Sequence, residues 1–454
     1  MIMIHCYKLS GYNIVLDTPS GCVHSVDDVA YDAIRIYENE GEAGVLSKIG
    51  EQYPDLPDEE IASLISDIRE LEGSGKLFSA DEFSGMVEKA RSAPLKALCL
   101  NVSHMCNMAC GYCFAGRGEY RGKGKLMPLE TAVRAIDFLI ESSGPRKNLY
   151  VDFFGGEPLL NFGVVKKTVE YARGAERTSG KRFRFTLTTN GLLIDDDVID
   201  FANREMDNVV LSLDGRPEVN DASRRLPGGA GAYDAVVPKF RKLVESRGGK
   251  NYYIRGTYTS GNTDFFNDIT HIADLGFTEL SMEPVVSPPD APYALSPGHL
   301  PEIFGQYEML ADEMLKREQE GRGFRFYHFM LDLSGGPCLY KRLAGCGAGT
   351  EYLAVTPDGE LFPCHQFIGN DEFLVGDIYS GIANSALQDE FRGCTIYSRE
   401  ECRACWARMY CSGGCAANAF NASGSISGTY ELGCELFKKR VECAIMMKIG
   451  GCII

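Results

Sequence analysis

Apolar and polar residues alternate over short runs at the start of the chain, at 4–9, 13–17 and 21–26, with glycine- and serine-bearing turns between them. That spacing predicts three strands. Helical spacing follows at 29–38, around 43–52 and at 57–72; Pro57 and an acidic run open the last helix, and Gly73-Ser74-Gly75 closes it. From about residue 95 to 283 apolar runs alternate with helical stretches. Strands are expected at 97–102, 149–154, 184–188, 209–213, 252–257 and 279–283, with helices at 129–141, 164–175, 195–203 and 234–246. This α/β alternation argues for a parallel sheet with helices outside it. Six such units suit a partial (β/α)6 barrel better than a closed eightfold one. Ligands of such sheets bind at the carboxyl ends of the strands. A connector at 285–335 is proline-rich at first, then helical over 302–320. The remainder, 336–454, reads as irregular and cysteine-dense, as where metal rather than apolar area supplies stability. The chain is therefore expected to divide at 1–80, 92–284, 285–335 and 336–454.

Composition changes this picture in one respect. With 44% hydrophobic and 24% charged residues the chain is an ordinary globular protein. No apolar run reaches the roughly 18 residues of a membrane span, and the start lacks a secretory pattern. A net charge of −17 argues against a nucleic-acid partner. The seventeen cysteines, ten of them between Cys338 and Cys443, are what stands out. Without a secretion signal they point to metal ligation in a reducing cytoplasm rather than to a disulfide framework.

Cys106, Cys110 and Cys113 stand three and then two residues apart, with Tyr112 just before the last. Three such thiolates can hold three irons of a cubane and leave the fourth open for chemistry. A zinc knot would need a fourth ligand, and only His104 is near. At the end of the next expected strand comes Gly155-Gly156-Glu157-Pro158, where paired glycines let a cationic amino group approach the backbone and Glu157 offers a carboxylate. Asn190 ends the following strand; Ser212 and Asp214 end the one after, with Arg224 beyond. Arg255 and Glu283, at later strand ends, are also candidates to face the cavity. In the last segment Cys346 and Cys364 precede Cys402-x2-Cys405-x5-Cys411-x3-Cys415, and Cys434 follows. The alternative for the paired cysteines is a zinc ribbon. His365 is a candidate base, its ordinary pKa of about 6.5 suiting proton removal near neutrality. Cys6, Cys22, Cys99, Cys394, Cys443 and Cys452 read as structural.

The three-cysteine run and the Gly-Gly-Glu-Pro turn about forty residues after it resemble the radical S-adenosylmethionine (SAM) family. The later seven cysteines resemble the SPASM extension of its peptide-modifying members. The opening GYNIVLDTPSGCVHSVDD, the link PCLYKRLAGCGAG, the segment CHQF and the tail CWARMYCSGGCAANAFN look like the maturases of SCIFF peptides. The resemblance implies a radical SAM barrel, a winged-helix-like peptide-recognition domain in front and a SPASM domain behind. It implies SAM bound by Tyr112, Gly155, Gly156, Glu157, Asn190, Ser212 and Arg224, and three 4Fe-4S clusters. Cys402, Cys405, Cys411 and Cys434 would hold the outer auxiliary cluster, and Cys346, Cys364 and Cys415 the inner one. Its fourth ligand is either Cys338 or a substrate thiolate. The implied partners are a short cysteine-rich precursor peptide with a leader, which adds as a strand, and an electron donor such as flavodoxin or ferredoxin. The implied reaction begins with a 5′-deoxyadenosyl radical that takes hydrogen from an acceptor residue, and ends with a cysteine sulfur bonded to that carbon. Other SPASM reactions, carbon–carbon linkage or epimerisation, are the alternative. Anaerobic sulfatase maturases carry an aspartate where His365 stands, which counts against that activity.

Overall fold

The computed structural model describes residues 3–87, 93–120, 122, 124–333 and 339–451. The chain begins with an antiparallel meander of β1 (Ile4–Leu9), β2 (Tyr12–Asp17) and β3 (Val23–Val26), with β2 in the middle. Ser10 and Gly11 both take positive φ, so a two-residue turn joins β1 to β2 with the twist of the strands. A helix over Asp28–Gln52 follows, its first turn capped by Asp27, whose carboxylate accepts from the Ala30 N–H at 2.8 Å. Gly41 (φ 65°, ψ −163°) breaks that helix, which is why its sequence reads as two. With the helix Asp58–Gly73 it encloses a small core of Val15, Ile34, Val45, Ile61, Ile65 and Ile68. Alternation along β2 sends Ile14 and Leu16 the other way, into the main core of the molecule.

The second sheet carries the chemistry. It consists of β4 (Ala97–Ser103), β5 (Asn148–Gly155), β6 (Arg182–Thr189), β7 (Asn208–Ser212), β8 (Asn251–Tyr258), β9 (Glu279–Pro284), β10 (Arg325–Phe326), β11 (Tyr352–Val355), β12 (Glu360–Phe362), β13 (Gly376–Asp377) and β14 (Gly381–Ile382). Strands β4 to β9 are parallel and lie side by side in chain order; β10 extends one side. Residues such as Leu98, Leu100, Val151, Phe153, Phe185, Leu187, Val209 and Leu211 point outward into the helix layer and are buried. Their alternate neighbours line the lumen. The sheet is open, as six units require.

Past β4 the sheet continues: β11 pairs with it in parallel, and the hairpin strands β12, β13 and β14 continue outward. One expectation needs correction. The last segment is less irregular than its composition suggests. It ends in the 19-residue helix Glu431–Ile449, which packs along the helix Leu300–Gln319. That helix buries Leu432, Leu436, Val441, Ile445, Met446 and Met447 on several faces, so no polar stripe marks its period in the sequence. Cys338 and Cys452 lie outside the described residues. No described helix is long and apolar enough to cross a membrane.

Candidate active site

The segment after β4 is fastened on both sides. The His104 N–H donates to Lys125 O (2.8 Å), the Ala109 N–H to Arg225 O (2.7 Å) and the Gly111 N–H to Ser223 O (2.9 Å). These bonds bring Cys106, Cys110 and Cys113 to one wall of a cavity of about 150 Å³. Burial pushes the Cys106 thiol up to about 12 and raises that of Cys110. Such thiols ionise readily only beside a bound metal. The Met108 N–H points at the Cys106 sulfur at 3.4 Å, a donor that favours a thiolate there. The residues therefore fit an iron–sulfur cluster.

Gly155 and Gly156 end β5 against this segment. A Cβ on Gly155 would fall 2.2 Å from Ser103 O, and one on Gly156 2.3 Å from Met105 O. Only glycine fits. The Gly156 N–H donates to Ser103 O (2.7 Å) and the Glu157 N–H to Met105 O (2.9 Å), so the turn is fixed to the thiol-bearing loop. The Glu157 carboxylate is engaged within the protein. It accepts from the Leu159 N–H (3.0 Å), the Thr189 hydroxyl (2.8 Å) and the Asn190 N–H (2.8 Å). Burial pushes its pKa up to about 7 against the pull of these donors. It braces the ends of β5 and β6 and is among the residues that line the cavity. The Asn190 side chain also turns toward the thiols: its amide donates to Asn107 Oδ1 (2.8 Å) and lies 3.7 Å from Cys106 Sγ.

Across the cavity a carboxylate that sequence reading left without a role organises the wall. Asp214 accepts from the Tyr112 hydroxyl (2.6 Å) and the Thr257 N–H (3.0 Å), and lies 3.1 Å from Arg224 Nε. Burial alone would lower the Arg224 pKa, but Asp214 outweighs it and raises it. Arg224 also sits over the Tyr112 ring at 5.7 Å. Tyr112, Arg224 and Ser212, which ends β7, thus line the cavity together. His365 packs against two further lining residues, its ring 4.8 Å from that of Phe154 and 5.5 Å from that of Phe114. Burial, helped by Arg255, lowers its pKa to about 4. That lies below the near-neutral value expected of it as a base.

The seven later cysteines fall into two groups. Cys411 lies within electrostatic reach of Cys434, Cys402 and Cys405, while Cys364 lies near Cys415 and Cys346. Burial, then the neighbouring thiols, pushes Cys411 up to about 12. Cys402, Cys405, Cys411 and Cys434 line a second cavity of about 450 Å³, which Cys415, Glu283 and Arg440 close on the barrel side. Among the described residues no three His, Cys, Asp or Glu side chains converge so as to hold a single metal ion. The four thiols are part of the lining of that second cavity.

Glu283, at the end of β9, anchors a buried network that sequence spacing could not reveal. His328 Nε2 lies 3.2 Å from Glu283, His328 Nδ1 lies 3.2 Å from Arg440 Nη1, and Arg440 Nε donates to the Tyr307 hydroxyl (2.9 Å). His328 beside it, and the Arg255 and Arg440 charges, hold Glu283 below the usual carboxylate range against the effect of burial.

Comparison with known proteins agrees with this geometry. The sequence pattern of the Radical SAM superfamily matches residues 100–275, and that of the SPASM iron–sulfur cluster-binding domain matches 346–406. The radical SAM cyclopropyl synthase TigE of Paramaledivibacter caminithermalis is 22% identical over 76% of this chain and 72% of its own. A cysteine-type anaerobic sulfatase-maturating enzyme of Clostridium novyi is 24% identical over 77% of this chain and 94% of its own. Among solved structures, anSMEcpe with bound AdoMet superposes with a TM-score of 0.65 at 22% identity, over 79% of this chain and all of that one. Streptococcus suis SuiB bound to the precursor peptide SuiA gives 0.54 at 16% identity, over 95% of this chain and 98% of that one. The chain thus joins a radical SAM domain, on a partial α/β barrel, to a SPASM iron–sulfur domain.

Proposed function

We propose that this protein is a peptide maturase that installs thioether cross-links, from cysteine sulfur to carbon, in a ribosomally made cysteine-rich precursor peptide. The observation that carries the reading is the second thiol group: Cys346, Cys364 and Cys415 lie together beside the barrel, close to Glu283 and with His365 following Cys364. Three thiols leave room for a fourth donor, which a substrate cysteine supplies unless Cys338 does. Bound at Cys106, Cys110 and Cys113, a cluster and SAM supply the radical that removes hydrogen from carbon. The chain's own residues do the rest. Gly155 and Gly156 let the ligand's amino group come close; Ser212, Arg224 and Tyr112 hold the remainder of SAM. Phe114, Phe154 and His365 wall off water, which a reactive carbon radical requires. Cys402, Cys405, Cys411 and Cys434 would hold an outer cluster, which would supply a route for electrons to or from a donor such as flavodoxin or ferredoxin. The open edge at β3 takes the leader as an added strand.

The likeness to TigE supports a second reading, a carbon–carbon bond-forming peptide modifier. One experiment separates the two. The protein, reconstituted anaerobically to about twelve irons, is incubated with SAM, reductant and the peptide encoded beside its gene. Thioether formation removes hydrogen and leaves the linked cysteine unable to react with a thiol-alkylating reagent. A product that has lost hydrogen but keeps every thiol alkylatable overturns the thioether reading.

A further inference from the structure

Arg255 stands one strand from the SAM cavity. Its β7 partner is Ser212, which lines that cavity, so the two side chains share the lumen face about 4.8 Å apart across the sheet. On its other side, Glu283 lies two residues past the β9 residue that pairs with Arg255, again on the lumen face. The guanidinium is 49% exposed, and Arg255 Nη2 approaches Glu283 Oε1 only to 3.8 Å, beyond hydrogen-bond length. Glu283 is occupied from behind. Arg440 can only donate, so His328 Nδ1 accepts from it and His328 Nε2 carries the hydrogen that faces Glu283. Arg440 is itself held by Tyr307, whose hydroxyl meets that of Tyr258 at 3.0 Å. Arg440, Tyr307 and Tyr258 are buried, whereas the Arg255 side chain is half-exposed.

The charges do not cancel. Arg255 and Arg440 bring two cations to one carboxylate, so this face of the lumen holds one excess positive charge in a chain of net charge −17. The other groups around it are His365, from the segment after β12, and Cys415, close to Glu283. A planar fork of N–H donors, half-exposed beside the SAM cavity, is a site for an anion. We propose that Arg255 holds the sulfur anion of a substrate cysteine, with Glu283 as the fixed counter-charge that aims it. This deepens the thioether reading and rests on it. The step is an ionisation: the S–H bond breaks, its proton passes to solvent water, and the sulfur keeps the electron pair that the guanidinium N–H groups meet. No electron changes hands.

The test uses the cluster-loaded, full-length protein and two probes, N-acetylcysteinamide and N-acetylserinamide, with binding measured by anaerobic equilibrium dialysis between pH 6 and 9. The native protein should prefer the thiol, and the preference should grow as pH rises toward the ordinary thiol range. Arg255→Gln should cut that preference about tenfold or more, as loss of a charge-assisted hydrogen bond does, with Arg255→Lys between the two. SAM cleavage without peptide should stay within about twofold in both variants, since on this assignment the guanidinium meets sulfur rather than SAM. Loss of peptide-free SAM cleavage in Arg255→Gln would make Arg255 a SAM ligand and overturn the proposal. An unchanged thiol preference would mean that the guanidinium does not meet the sulfur, and overturn it equally. Because the readout is binding, it stands even if the native protein forms no thioether, the result that would defeat the functional reading instead.

Discussion

The two places where cysteines gather are held by different means. The loop carrying Cys106, Cys110 and Cys113 hangs from barrel backbone, tied to residues 125 and 223–225 and pressed against Gly155 and Gly156. The segment carrying Cys402, Cys405 and Cys411 has only two four-residue helices, Glu400–Arg403 and Arg408–Cys411, and a small apolar cluster of Leu343, Ile396 and Met409. Arg399 ties it to its own region, donating to Ile426 O at 2.7 Å, and further support comes from the first 81 residues. His5 stacks on Trp406 at 3.7 Å and pairs with Glu442; Asp81 takes Arg408 at 2.7 Å and the Tyr397 hydroxyl at 2.7 and 2.8 Å. The barrel thus builds its cysteine site from its own sheet, whereas the SPASM segment borrows support from residues more than 300 positions away. Removing the front unit is therefore expected to weaken the SPASM segment as well as peptide binding.

The largest expected effect breaks the barrel side of that comparison. Replacing Cys106, Cys110 and Cys113 by alanine should abolish SAM cleavage and remove about a third of the iron, while thermal unfolding moves little because the loop's backbone bonds remain. Iron assay, deoxyadenosine analysis and calorimetry read the three quantities. Deoxyadenosine production by the triple variant would refute the site.

Next comes the borrowed support. Asp81→Ala leaves Arg408 buried with its charge unpaired, a loss of about 3–5 kcal/mol where a buried pair is broken. The cost should appear in the segment that Arg408 starts, as faster loss of iron from the outer cluster under a chelator, with peptide-free SAM cleavage retained. Equal loss of iron from all sites, or none, would show that the two cysteine regions do not differ in this way.

How far the sequence foretold this molecule follows the same divide. All six barrel strands and four of their helices fall where hydrophobic periodicity puts them, because each buries one face against a continuous helix layer. The cysteine groups were legible because ligand spacing is local. What escaped is long-range or short. Strands β10, β13 and β14 have two residues each, too few to show a period. His328 and Arg440 meet across 112 positions, and Asp214 gains its role only when Tyr112 arrives from 102 positions earlier. Gly155 and Gly156 were recognisable as a motif, but only the fold shows that a Cβ there would strike the thiol-bearing loop.

A smaller effect sharpens the account of the barrel side. Glu157 has a folded pKa near 7 against an ordinary value of 4.5, so the folded state holds its proton where the unfolded chain has lost it. Stability of the cluster-free protein should therefore fall as pH rises from about 4.5 to 7, by up to roughly 3 kcal/mol from this group. Glu157→Gln should flatten the slope in that window. Denaturant unfolding at several pH values measures it, and an unchanged slope would mean that Glu157 does not carry the proton.

The smallest effect concerns the two edges of the front sheet, where the same unit that is fastened along β1 is open along β3. Along β1, His5 and Tyr7 are taken by Trp406 and Glu442. Along β3 the pairing can be read from one bond: the Asp17 N–H donates to Cys22 O at 2.9 Å, so that opposed pair is hydrogen-bonded. Bonded and non-bonded pairs alternate in an antiparallel ladder. Val15 with His24 and Asn13 with Val26 are then bonded, whereas Val23 and Ser25, opposite Leu16 and Ile14, turn their N–H and C=O groups outward. Proline at Val23 or Ser25 removes only an outward donor, so the protein should fold as before while leader binding weakens about tenfold, the worth of roughly one or two backbone hydrogen bonds. Proline at His24 removes a ladder bond instead and should destabilise the front unit itself. If leader affinity survives proline at both Val23 and Ser25, the leader does not add to this edge.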